Sequence, residues 1–127
     1  MRQQMEMKPV IWVGSSREDL KELPEGVQDK IGRALLKVHY GSKPTSARIL
    51  SGFHGAGVLE IKADHDGDTY RAIYTVRFAE RVYVLHVFQK KSRHGIQTSK
   101  QDIDLLQARL ERAETMHQEF ISQKEEV

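Results

Sequence analysis

Three consecutive runs of strand-like composition, Val58 to Ala63, Thr69 to Arg77 and Val82 to Phe88, carry the residues whose types could do chemistry. Side chains alternate between the two faces of a strand. In the first run Leu59 and Ile61 form the apolar set, so Glu60 and Lys62 point the other way. In the second, Tyr70, Ala72, Tyr74 and Val76 are the more apolar set, which leaves Arg71, Ile73 and Thr75 opposite. In the third both sets are largely apolar, and the set Val82, Val84, His86, Phe88 and Lys90 holds the only imidazole and leads into a lysine pair. If that set faces Arg71, one concave surface gathers Glu60, Lys62, Arg71, His86, Phe88 and Lys90. Lys91, Arg93 and His94 follow just beyond it.

Such a surface suits cleavage of RNA through its 2′-hydroxyl. That reaction needs a base for the hydroxyl, cations for the charge on the phosphorane and an acid for the leaving oxygen. Arg71 is the natural phosphate clamp, because a planar guanidinium binds phosphate in a bidentate way. Lys62 and Lys90 add charge, and like-charged neighbours would fit either of them for proton transfer. Glu60 is a candidate base, and Phe88 offers a plane on which an unpaired base can stack. Plainer roles compete with each assignment: a cross-strand salt bridge for Glu60 and Arg71, a core position for Phe88, a half-buried strand position for His86. The case rests on their falling together on one face.

No metal or cofactor is expected. The six histidines are scattered without zinc-type spacing. Asp64, Asp66, Gly67 and Asp68 faintly resemble a calcium loop, but Thr75 stands where the closing glutamate belongs, and a hairpin turn explains them. Gly52, Gly55 and Gly57 around His54 are not a phosphate loop, since no strand leads in and no helix opens after them.

The elements that must hold these residues are legible from spacing. Lys8 to Val13 reads as a strand closed by Gly14. Ser15 or Ser16 opens a short helix that Pro24 stops near Leu23, and Val27, Ile31, Ala34, Leu35 and Val38 mark a second helix to about Tyr40. Residues 42–57 read as a loop pinned to the core by Ile49, Leu50 and Phe53. Three antiparallel strands follow, and then a helix capped by Thr98 or Ser99 whose apolar stripe is Ile103, Leu106, Leu110, Ala113, Met116 or His117, and Phe120. The expected class is α+β: a strand, two helices, three strands and a helix, with a mostly antiparallel sheet covered by helices on one face.

At 127 residues the chain is expected to form one domain, with a core over about 8–112 and a helical acidic extension over about 113–127. Its net charge of +2 hides segregation. Residues 29–100 carry thirteen Lys/Arg against six Asp/Glu, and residues 101–127 carry three against seven, so a basic middle meets an acidic end. A basic middle of this kind favours a polyanion as partner. The absence of cysteine fits a reducing cytoplasm, and MRQQMEMKPVIWVG has no apolar run that would serve as signal peptide or membrane span.

Taken in order, the segments LEIK, TYRAIY, VYVLHVFQKKS and TSKQDI resemble the phage-derived, HigB-like branch of the RelE/ParE toxin superfamily, over roughly residues 8–112. The matching positions are Glu60, Lys62, Tyr70, Arg71, Phe88, Lys90 and Lys91. The resemblance implies a RelE-like fold and a type II toxin that cleaves mRNA on the ribosome without metal. It implies as partner an antitoxin, in this branch a helix-turn-helix protein. Arg71 matches the superfamily's phosphate-contacting arginine. Lys62 stands where arginine is common, Ser99 replaces a proline, and His94 is the candidate for the catalytic group that many relatives place near the C-terminal end. Two alternatives stay open: a ParE-like inhibitor of DNA gyrase, and a non-enzymatic module that docks RNA or a regulator.

Overall fold

A computed structural model describes residues 7–53, 55, 57–90 and 99–125. Lys91, Arg93 and His94 therefore lie outside the described residues. Among the described residues eight elements follow one another: β1 (Val10–Trp12), α1 (Ser16–Lys21), α2 (Glu25–His39), β2 (Ala47–Ile49), β3 (Val58–His65), β4 (Asp68–Thr75), β5 (Val82–Lys90) and α3 (Lys100–Glu125). The strands form one sheet in the order β1-β5-β4-β3-β2. β1 runs parallel to β5 and the other pairings are antiparallel, so the sheet is mixed.

Local chemistry sets these boundaries. Asp66 and Gly67 both take positive φ, 50° and 83°, and so form the two-residue turn whose twist matches a hairpin between β3 and β4. Pro24 sits at the N-cap of α2, where its missing N–H costs nothing. Ser99 caps α3 by accepting from the backbone N–H of Asp102 at 3.2 Å, and it donates to the Asp102 carboxylate at 2.7 Å.

Two findings correct the sequence reading. The first is that helices cover both faces. Val27, Ile31 and Leu35 of α2 pack with Leu59, Ile61, Ala72 and Tyr74 on one face. Leu106, Leu110 and Ala113 of α3 pack with Val58, Ile73, Tyr83 and Leu85 on the other. The apolar stripe of α3 has to be buried somewhere, and the α2 face is already taken. The second correction is that residues 47–49 are an edge strand rather than loop. Ile49 is 74% exposed, while Phe53 is buried as expected.

The α3 helix runs unbroken to Glu125. Its C-terminal half is packed: His117 accepts or donates a 3.0 Å hydrogen bond with Tyr83 Oη and stacks on Phe78 at 4.3 Å. The guanidinium of Arg81 lies 3.6 Å over the ring of Phe120. Among the described residues no helix is long and apolar enough to cross a membrane.

Candidate functional site

Strand register decides which side chains meet. Lys62, Arg71 and Phe88 stand in one cross-strand row, and Glu60, Ile73 and His86 stand in the next. Arg48 extends the second row from β2, directly opposite Glu60. Lys90 lies one row further out, opposite Thr69. The six residues grouped by parity therefore share one sheet face, at the end that the N-terminus of α3 reaches.

A register shift between Ile73 and Tyr74 makes this possible and overturns part of the parity set. His86 pairs with Ile73, but Val84 and not Leu85 pairs with Tyr74, so Leu85 is the extra residue of a bulge. Val82 and Val84 consequently point into the α2 core, whereas Tyr83, Leu85, His86, Phe88 and Lys90 belong to the other face. A strictly alternating β5 would have sent either the valines or the histidine to the wrong side.

At the centre lies a buried ion cluster. Glu60 is fully buried and Arg71 is 2% exposed. One Glu60 carboxylate oxygen accepts from Arg71 Nη1 at 2.8 Å. The other accepts from Arg48 Nε at 3.1 Å and faces Arg48 Nη2 at 3.1 Å. Both oxygens of Glu60 are thus occupied by guanidinium donors. Around this cluster Lys62 and Arg48 reach solvent, with Lys62 Nζ 4.0 Å from Asp64. Partial burial, then the like charge of Arg71, with Arg48 and Lys62 behind it, hold the Lys90 ammonium below the ordinary lysine range, against the pull of Glu60.

His86 is tied down rather than displayed. It is 7% exposed, its ring stacks on Phe88 at 4.5 Å, and its Nε2 meets Asp102 Oδ1 at 2.9 Å. Burial lowers its pKa, and the hydrogen bond and charge of Asp102 only partly oppose that. Arg109 holds the same corner together, donating to the Leu85 carbonyl and to Ser15 Oγ at 2.9 Å each. Phe88 is half-buried, with one ring face occupied by His86.

Arg48, Asp102 and Arg109 were missed by sequence reasoning. The spacing Ser99-x-x-Asp102 was a visible signal, since it is the helix-start pattern that puts an acid in the first turn. Arg48 carried a weaker one, the alternation of Ala47, Arg48 and Ile49 just ahead of the glycine-rich stretch. Nothing local marks Arg109, whose partners lie 24 and 94 residues away. Among the described residues no three His, Asp or Glu side chains gather in a way that could hold a metal ion.

The fold and site thus define a small mixed-sheet α+β protein with a basic, arginine-centred end to its sheet. The family profile described as "Phage derived protein Gp49-like (DUF891)" matches residues 18–111, and the chain belongs to that family. This is the phage-derived grouping to which the strand motifs pointed. Among solved structures, a chain of the toxin-antitoxin complex RelBE2 from Mycobacterium tuberculosis is 22% identical, covering 72% of this chain and 100% of that one, with a TM-score of 0.41. So loose a superposition carries no weight beyond the sheet and helices described above. No curated protein is significantly similar to the chain.

Proposed function

We propose that the protein is the toxin of a type II toxin-antitoxin pair, a cytoplasmic endoribonuclease that cuts mRNA on the ribosome and is held in check by a helix-turn-helix antitoxin. The observation that carries this reading is the cluster of Arg48, Lys62, Arg71 and Lys90 at one end of the sheet, in a chain of the phage-derived family. A scissile phosphate meets these cations, and Glu60 holds Arg71 in place from beneath. Preorganised cations of this kind stabilise the charge that develops on the phosphorane. Lys90, with its weakened hold on its proton, transfers a proton at the leaving oxygen. His94 is the second proton-transfer group, because both Glu60 oxygens already accept from arginines. Lys91, Arg93 and Phe88 bind the surrounding RNA.

The burial of Arg71 favours a second reading, in which the cluster is structural and the chain inhibits a protein target such as gyrase, or docks RNA without cutting it. Induced expression in a bacterial host, with mRNA 5′ ends mapped during growth arrest, separates the two. Wild type is compared with Lys90→Met and with Arg71→Lys, which keeps a buried cation for Glu60. The expected result is arrest with new cuts inside translated messages, lost in both variants while their circular dichroism stays native. Arrest without cuts would transfer the assignment to a protein target. Wild type that causes no arrest would leave the non-enzymatic docking module.

A further inference from the structure

We infer that a groove between α2 and the β3 edge is a second RNA-backbone site, which carries the strand onward from the candidate site. This rests on the reading of the chain as an RNA-cutting protein and adds to it the path of the substrate. The groove, of about 260 Å³, is lined by Lys30, Arg33 and Lys37 of α2 and, where it meets the β3 edge, by Lys62, whose strand position places it on the face of Arg71. Thr45 and Ser46, both exposed, add hydroxyls to its lining, and among the described residues Asp64 is the one carboxylate there.

Three features point to a phosphate-bearing strand. The first is charge: Lys30, Arg33, Lys37 and Lys62 line the groove with Asp64, and even with Asp29 pairing Arg33 at 3.1 Å from outside the lining the balance stays positive. The second is spacing. Positions 30, 33 and 37 lie on one side of a helix and advance about 10 Å along it at 1.5 Å per residue. Their charges therefore succeed one another along the groove, as contacts to successive phosphates of one strand require. The third is continuity, because Lys62 belongs both to this lining and to the row that contains Arg71. A strand whose phosphate lies over Arg71 can cross the sheet edge at Lys62 and descend into the groove.

The lining argues against a docked peptide. Its apolar side chains are only Ala34, Pro44 and Ala63, none large enough to anchor a partner helix, whereas cations and hydroxyls are the usual phosphate contacts. Lys30 also donates to the Asp64 carbonyl across the groove, which holds α2 and β3 at a set separation.

The test measures binding of a short fluorescent 2′-O-methyl single-stranded RNA, which resists cutting, to the full-length protein over a range of salt. Arg33→Ala/Lys37→Ala is compared with Arg17→Ala/Lys21→Ala, which removes the same charge from exposed positions on α1. Alanine is a good helix former, so both variants keep their helices. The groove variant is expected to bind about tenfold more weakly, with a slope of log K on log salt about 1.4 smaller, as two lost contacts to a single strand require. The α1 variant is expected to keep the wild-type slope. Equal losses in both variants would reduce the effect to net charge and overturn the site, as would no loss in the groove variant or no binding of the RNA by wild type. Capture of a labelled polyglutamate peptide in preference to the RNA would reassign the groove to an acidic protein segment. Cleavage in a translating extract is scored separately. A protein that cuts nothing but loses RNA affinity in the groove variant would sink the toxin reading and leave the groove as an RNA-binding site without the substrate path.

Discussion

Glu60 is the residue on which most of the basic end depends. It is a carboxylate with no exposure, held between two arginines, one of them buried with it. Taking such ions out of water costs several kcal/mol each, and removing one partner strands the other. Glu60→Gln is therefore expected to lower the unfolding free energy by about 3 to 5 kcal/mol, whereas the paired change Glu60→Leu/Arg71→Met should cost far less. Urea titration of Glu60→Gln and of the double variant tests this, and a Glu60→Gln cost below about 1 kcal/mol would mean the cluster is hydrated. His86 makes a second prediction, through pH. Its folded pKa lies below its ordinary 6.5 because burial penalises the charged ring. The unfolded chain then binds more protons than the folded one between the two pKa values, so stability must fall as pH drops below 6.5. Its share of the slope is at most about 1.4 kcal/mol per pH unit. Subtracting the profile of His86→Gln from that of wild type should leave this slope, and a difference that is flat from neutral to acid pH would refute it.

The strands β3 and β4 and the two long helices were readable because each carries its own period, while α1 was marked by its serines and Pro24 and β5 by an unbroken apolar run. Leu59 and Ile61 alternate against Glu60 and Lys62, and Val27, Ile31, Ala34, Leu35 and Val38 recur every three or four residues. Two things were not readable, and both come from pairing rather than from local pattern. The bulge at Leu85 lets Val84 and His86 face opposite sides although they are two apart, and no composition signal marks it in a run that is apolar throughout. The edge strand β2 spans three residues and exists because β3 offers it a partner, so its Arg48 was placed in a loop. The doubly covered sheet follows the same logic: an apolar stripe on α3 says that it is buried, not on which face. One prediction belongs to α2 itself. Gly32 is exposed in mid-helix, and a Cβ added there would meet nothing within 4 Å. Gly32→Ala should raise stability by about 0.5 to 1 kcal/mol, by reducing the freedom of the unfolded chain. Gly14 is the contrast: its φ is +58°, and a Cβ there would lie 2.8 Å from Arg109 Nε, so Gly14→Ala should be destabilising. Thermal melts that moved both variants the same way would contradict this account of the two sites.

At the scale of the whole molecule, α3 acts as a clasp. Its 26 residues span about 39 Å, enough to cross the sheet from the basic end to the opposite rim. Near its start Asp102 holds His86, and fifteen residues on His117 holds the buried hydroxyl of Tyr83 while also meeting Glu80 at 3.0 Å. The family profile stops at residue 111, yet Ala113 and His117 beyond it are as buried as the core. The acidic extension expected from sequence is thus two things at once: a charged outer face, and an inner face that completes the second core. Ending the chain after Arg112 should then cost several kcal/mol, because it strips the apolar cover from Tyr83 and replaces the hydrogen bond to its hydroxyl with one to water. The decisive form of the experiment is a cycle with Tyr83→Phe. In the full chain that change breaks a hydrogen bond and should destabilise by about 1 kcal/mol. In the shortened chain the hydroxyl is hydrated and the same change should be close to neutral, so the size of the effect depends on a helix end far away in sequence. If Tyr83→Phe costs the same in both chains, His117 is not the partner that satisfies Tyr83.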